Sequence, residues 1–209
     1  MTRRNPLESL KVSRETYQAL TDLEAMVLRW NGAVNLVGTS TLRTIRERHV
    51  LDSAQLYALA PAAARHWVDL GSGGGFPGLV VAVIAQELRP ALKMTLVEAD
   101  LRKATFLREA ARSLNLTATV HACRIEALPP QRADVLSARA LAPLPLLLSY
   151  LERHMDTSGV ALLPKGARHA EEVTAARQRW TFELETIASV SDPNAGVLVI
   201  RNSHRANHS

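Results

Sequence analysis

The chain reads as an α/β domain, a doubly wound and mainly parallel sheet, behind a helical N-terminal extension. Three observations predict this. Up to about residue 62 the only periodicity is helical. From His66 onward, short apolar runs alternate with helical patterns. Residues 67–78, WVDLGSGGGFPG, then place five glycines directly after the first of those runs. Apolar runs bounded by helices are what strands covered on both faces look like.

The elements follow in order. In SRETYQALTDLEAMVLRWNG, Ser13 is a candidate N-cap, and Leu20, Leu23, Val27 and Trp30 recur at spacings of three and four. Asn31-Gly32 is read as its stop. A second helix is expected from Ser40 to Pro61. Strands are read at HWVDLG, KMTLVE, TATVHA, ADVLSAR and SGVALLPKG. The helices PGLVVAVIAQEL and LRKATFLREAARSL separate the first three. RWTFELETIASV and GVLVIRN read as two closing strands, and the polar end RNSHRANHS is expected to fray. The expected division is 1–62 helical extension, 63–203 α/β domain and 204–209 tail.

With 47% hydrophobic residues the chain can bury a sizeable core. No apolar run reaches bilayer length, and MTRRNPLESLKV has no apolar leader core. Cys123 is the only cysteine, so no internal disulfide forms; a reduced, cytoplasmic setting without membrane attachment is expected. The net charge of +5 rests almost wholly on arginine, beside Lys11, Lys93, Lys103 and Lys165. That balance suits a polyanion such as RNA.

The glycine turn, at the carboxyl end of the first strand and opening onto a helix, is where a ligand is expected. Asp69 bears on which ligand. A carboxylate there repels a pyrophosphate but suits a cationic, phosphate-free cofactor such as S-adenosylmethionine. Glu98 ends the second strand, twenty-three residues beyond Gly75, where an acid can accept both ribose hydroxyls. Dinucleotide folds use such an acid too, so it is the pair Asp69 and Glu98 that favours S-adenosylmethionine over NAD. A nucleophile elbow around Ser72 fails because position 70 is leucine. A phosphate loop fails because Gly75 is followed by Phe76-Pro77. His49, Asp52 and Ser53 share one helical turn, and they are read as holding that helix to its neighbour rather than as a triad.

The fourth strand should end at the acceptor, and it reads Asp134-Val135-Leu136-Ser137-Ala138-Arg139-Ala140. No amine-methylating [DN]-P-P-[YFW] loop is present, Cys123 is not placed for attack on a pyrimidine, and no metal-ligand cluster is visible. An acceptor that is already nucleophilic remains. On the residues alone, two further readings stay open. One is a same-fold methyltransferase for another RNA, a protein or a small molecule; the other is a non-catalytic RNA-binding module.

Over nearly its whole length the chain resembles the RsmG (GidB) family. The resemblance rests on Trp30-Asn31 with Asn35-Leu36, on Arg48-His49-Val50-Leu51-Asp52-Ser53, and on the Asp69 to Gly78 loop. Arg124-Ile125-Glu126, Ser137-Ala138-Arg139-Ala140 and Lys165-Gly166 complete it. It implies a class I S-adenosylmethionine-dependent methyltransferase: a Rossmann-like sheet with an antiparallel last strand, modifying N7 of a guanosine in the 530 loop of 16S rRNA. It also implies a monomer acting on 16S rRNA or the small ribosomal subunit. The implied cofactor site is Gly71, Phe76, Ile125, Glu126 and Arg139, with Glu98 on the ribose; Asp69 and Gly73 join it from the loop reading. Arg139 is expected as a positioning group, with no general base. Arg124 and Lys165, with Arg46 and Arg48, are the expected RNA contacts, whereas Arg43 reads as a solvated surface charge. Two departures stand out: Val37 where the family commonly has threonine, and Asn194-Ala195-Gly196 where it commonly has an arginine.

Overall fold

A computed structural model describes residues 5–206. Seven strands form one sheet in the order β3-β2-β1-β4-β5-β7-β6. They are β1 His66–Leu70, β2 Lys93–Val97, β3 Ala118–His121, β4 Ala133–Ala138, β5 Met155–Lys165, β6 Trp180–Ala188 and β7 Gly196–Arg205. The first five run parallel, while β7 pairs antiparallel with both β5 and β6. The strand order reverses between β1 and β4, and the crevice above that point is where such sheets bind ligands.

Successive side chains on each strand point to opposite faces, and both faces are covered. Trp67, Leu96, Val135, Leu162 and Val199 face one layer. It holds α1 Pro6–Leu10, α2 Arg14–Val34, α3 Asp52–Leu59, α4 Gly78–Leu88 and α5 Leu101–Ser113. Val68, Val97, Leu136, Leu163 and Leu198 face the other, made by α6 Leu144–His154 and α7 His169–Arg177. This is why the strands carry apolar runs and not alternation. The N-terminal helices share the first core: Leu20, Leu23 and Val27 of α2 are fully buried in it, and Trp30 meets Phe106 of α5 edge-on at 5.6 Å.

Ser13 caps α2 as expected, its hydroxyl accepting from the Thr16 amide. Three local expectations are corrected. Helix α2 runs through Asn31-Gly32 to Val34, and Asn35 ends it in the left-handed conformation at φ 52°. Gly32 has open space around it, so it costs the helix only its own flexibility. Asn31 is instead a stitch, its side-chain oxygen accepting from the Val37 amide at 2.8 Å. The helix expected from Ser40 is three pieces: a 3₁₀ stretch Thr39–Thr44, a π-helical stretch Arg46–Leu51, and α3. Widened π turns recur at functional sites, and this one carries Arg48 and His49. The polar end does not fray at Arg201, because β7 continues to Arg205 opposite Trp180, over whose ring the Arg205 guanidinium lies at 4.9 Å. Residues 1–4 and 207–209 lie outside the described residues.

Because α2 shares its core with the sheet, truncating it should destabilise the whole chain. Leu23→Ala is expected to cost about 2–5 kcal/mol in urea unfolding, in a single transition seen alike by circular dichroism and tryptophan fluorescence. Two separated transitions would show that the helices fold apart from the sheet.

Candidate cofactor cleft

A cleft of about 1120 Å³ opens at the carboxyl ends of β1, β2 and β4. Its floor is the glycine turn. Gly75 has φ +86° with the Leu79 side chain where a Cβ would go, and a Cβ on Gly78 would strike Leu96 and Asp69. Larger residues at these two positions would collide with the core beneath the turn, so the tight path of the backbone needs glycine there.

Asp69 lies beneath this turn, 1% exposed. One carboxylate oxygen accepts from the amide of Gly78, the first residue of α4, at 3.2 Å. The other accepts from the Ser137 hydroxyl of β4 at 2.6 Å, and Ser137 in turn accepts from the Trp67 indole at 2.8 Å. Burial pushes the Asp69 carboxyl up to about 6, against the opposing hydrogen bonds. Glu98 is half-buried at the cleft edge. It accepts from the Gly73 amide and from the Asp100 amide, both at 2.8 Å, tying the turn to β2. Each oxygen keeps a further lone pair for a ligand hydroxyl.

The opposite wall comes from the N-terminal helices. Leu36 backs onto the turn, its carbonyl 2.9 Å from where a Gly74 Cβ would sit. His49 stacks on Phe76 at 4.9 Å, and the Arg139 guanidinium lies 5.6 Å from the same ring centre. Arg139 donates to the Arg48 carbonyl at 3.2 Å and to His49 Nδ1. Burial, then the Arg139 and Arg48 cations, push the imidazole down to about 3. Ile125 is buried at the start of a 3₁₀ turn, Ile125–Ala127. The exposed Glu126 beside it accepts from Tyr150, which holds Glu126 below the usual carboxylate range and pushes Tyr150 up to about 12.

The model of the GidB family, described as rRNA small subunit methyltransferase G, matches residues 16–197. The chain belongs to this family. Proteins named ribosomal RNA small subunit methyltransferase G resemble it closely. That of Cereibacter sphaeroides is 52% identical, covering 96% of this chain and 98% of its own. That of Ruegeria sp. is 46% identical, over 94% and 95%. Among solved structures, the ribosomal protein L11 methylase of Lactobacillus delbrueckii subsp. bulgaricus aligns with TM-score 0.59 at 16% identity, over 75% of this chain and 79% of that one. A TehB-like SAM-dependent methyltransferase of Corynebacterium glutamicum aligns with TM-score 0.57 at 15%, over 87% and 98%. At such identities these two show the fold alone, that of class I methyltransferases.

Within this GidB-family cleft, Gly71, Gly73, Phe76, Glu98, Ile125, Glu126 and Arg139 all line one cavity, as do Arg48, Arg124 and Lys165. Three sequence expectations are corrected. Asp69 is not at the cavity surface: it faces α4, where the helix N-terminus and Ser137 take both its oxygens. Lys165 is not a free cation, for it is bonded to Glu172 at 2.6 Å and to the Ala142 carbonyl at 2.8 Å. Arg46 is turned to α2, 3.0 Å from Glu24 and 2.8 Å from the Thr21 hydroxyl. Arg48 lines the cleft but is paired with Asp192 at 2.9 Å. Asp52 holds the hydroxyls of Ser189 and Ser191, so it does clamp its helix to a neighbour.

Sequence reasoning missed Thr41, Lys103 and Arg168, which also line the cavity. The Lys103 and Arg168 side chains, like that of Arg124, make no hydrogen bond or salt bridge among the described residues. Lys103 occupies the first turn of the helix after Glu98, and Arg168 comes two residues after Gly166. Placement just past strand ends was the available signal. Among the described residues, no group of three or more His, Cys, Asp or Glu is placed to hold a metal ion. Nor is any helix long and apolar enough to cross a membrane.

Asp69→Ala strips partners from the Gly78 amide and the Ser137 hydroxyl, and each unpaired group should cost about 1–3 kcal/mol in urea unfolding. The folded carboxyl titrates near 6 against 3.8 when unfolded. Its contribution is therefore most favourable below about pH 4 and is lost as pH rises through 6. Relative to Asp69→Asn, the parent protein should lose up to about 3 kcal/mol between about pH 4 and 6 and stay level above. A constant difference across that range would place Asp69 in contact with water.

Proposed function

We propose that this GidB-family chain, an rRNA methyltransferase by family, transfers a methyl group from S-adenosylmethionine to N7 of a guanosine in the 530 loop of 16S rRNA. The donor fits the residues present. The glycine turn lines the cleft with bare backbone at Gly71, Gly73 and Gly74, Glu98 keeps lone pairs for ribose hydroxyls, and the Ile125–Ala127 turn offers backbone groups to an adenine edge. Arg139, half-buried and without a carboxylate in salt-bridge range among the described residues, suits the donor's carboxylate. When bound, that donor supplies an electrophilic methyl on a sulfonium.

The observation that carries the choice of acceptor is the state of His49. Its Nδ1 lone pair is taken by Arg139 and its pKa lies near 3, so the imidazole of the cleft cannot remove a proton by accepting it there. Asp69 is under the turn, and Glu126 sits at the rim with Tyr150. Guanine N7 carries an in-plane lone pair and no proton, so it asks for no base. What the chain must supply is alignment of the two reactants, worth about 7–11 kcal/mol. Arg124, Lys103 and Arg168 are the cations left for phosphates.

Mass spectrometry of nucleosides from the 16S rRNA of a deletion strain should show 7-methylguanosine lost from the 530 loop and restored by the gene. Loss at another RNA, or no loss, would move the acceptor elsewhere. The single-turnover rate should be nearly flat from about pH 6 to 9. A steep limb abolished by changing Cys123 or Glu126 would mean that a proton is removed and that N7 is the wrong atom.

Arg124→Ala and Arg168→Ala should each lower the salt slope of RNA binding by about one and leave S-adenosylmethionine affinity alone. Lys165→Ala should instead lower stability, since it leaves Glu172 without its cation. Equal salt slopes in all three variants and the parent would remove this sorting of the cations.

A further inference from the structure

Two contacts independently leave the His49 imidazole only one tautomer. Nδ1 faces an Arg139 amino group, and a guanidinium carries donors only, so Nδ1 must accept. Nε2 lies 2.9 Å from the Thr41 hydroxyl. That hydroxyl has a single proton, already given to the Gly38 carbonyl at 2.8 Å. Thr41 can then only accept, so Nε2 carries the ring proton. The same neutral form is demanded from both edges, and Phe76 supports both His49 and Arg139 from the glycine turn.

Arg139 has five N–H donors to satisfy. Its protein acceptors among the described residues are the Arg48 carbonyl and His49 Nδ1. The remaining donors are left for an anionic group in the cleft it lines. We propose that His49 is a positioning residue: locked as the Nε2–H tautomer by Thr41, it aims the Arg139 guanidinium at the carboxylate of the methyl donor. The proposal rests on the reading that this cleft holds S-adenosylmethionine. Protonating His49 would turn a donor toward Arg139 and break the arrangement. The charges around the ring oppose that. Arg139 from the end of β4 and Arg48 from its own helix both disfavour a cation. Asp52 is engaged with Ser189 and Ser191, Asp192 with Arg48, and Asp69 with Gly78 and Ser137.

Two substitutions separate the ring's two edges. Asparagine brings an oxygen to the Nδ1 position, so His49→Asn keeps an acceptor for Arg139 and gives up Thr41. Glutamine reaches the Nε2 position, so His49→Gln keeps the Thr41 link and loses the acceptor. Calorimetry should show S-adenosylmethionine bound roughly tenfold more weakly by His49→Gln, and only about two- to threefold more weakly by His49→Asn. A residue that merely fills space would give equal losses, or favour glutamine, and either result overturns the proposal. Arg139→Ala is run alongside. If it leaves the affinity unchanged, the assignment of Arg139 to the donor fails, and this proposal fails with it. The tautomer is read separately, by nitrogen-15 NMR of histidine-labelled protein, with His49→Gln identifying the resonances. An unprotonated Nδ1 and a protonated Nε2, unchanged from about pH 7.5 to 5, are expected. The reverse tautomer, or titration near the ordinary histidine value, refutes the lock whatever the cleft binds.

Discussion

Asp69 holds a carboxylate under the glycine turn, where water does not reach it, and the arrangement of the cleft depends on how that group is satisfied. Three elements meet there: Trp67 and Asp69 on β1, Ser137 on β4, and the Gly78 amide that opens α4. The register places Asp69 directly beside Ser137, so the hydrogen-bonded chain crosses the sheet at the point where the strand order reverses. Removing a charge from water is costly, and the raised pKa of Asp69 is that cost made visible. What it secures is the closeness of strand and helix: Gly78 has room for no side chain because Asp69 and Leu96 occupy the space.

The cations around the cleft divide by what already holds them. Arg46, Arg48 and Lys165 are tied to Glu24, Asp192 and Glu172, and they brace the walls. Arg139 is half-buried and oriented by neutral acceptors, with Asp52 and Asp69 near but out of salt-bridge range, which leaves donors for a carboxylate in the cleft. Arg124, Lys103 and Arg168 carry charge at the rim. Few of the protein's positive charges therefore lie at this cleft without a partner among the described residues, and those few, Lys103, Arg124 and Arg168, line the cavity. This sorting explains why net charge alone says little about where a polyanion lies.

The N-terminal helices are a wall of the cleft as much as an extension. Leu36 backs the turn, the π-helical stretch supplies Arg48 and His49, and Asp52 and Gln55 hold the segment between β6 and β7. These links join residues more than a hundred positions apart to the same rim, so the geometry of Arg139 depends on segments from both ends of the chain.

The sequence by itself determined the alternation of strands and helices, the Ser13 cap, the glycine turn and the position of the Glu98 carboxylate just past the second strand. Each of these rests on short-range rules: periodicity, capping and the conformational freedom of glycine. It did not determine the helix end at Val34, since Asn31 is set by a bond to Val37 that no local propensity announces. Nor did it extend β7 to Arg205, which follows from pairing with Trp180, twenty-five positions earlier. For the site the divide is sharper. Residue type and spacing placed Asp69, Lys165 and Arg46 near the action, but only tertiary packing decided that their charges are spent within the protein. A side chain's partner is fixed by which face of a strand or helix it leaves from and by what distant segment arrives there. Thr41, His49 and Arg139 come from two sides of the molecule, and their shared proton arrangement exists only once the walls have met.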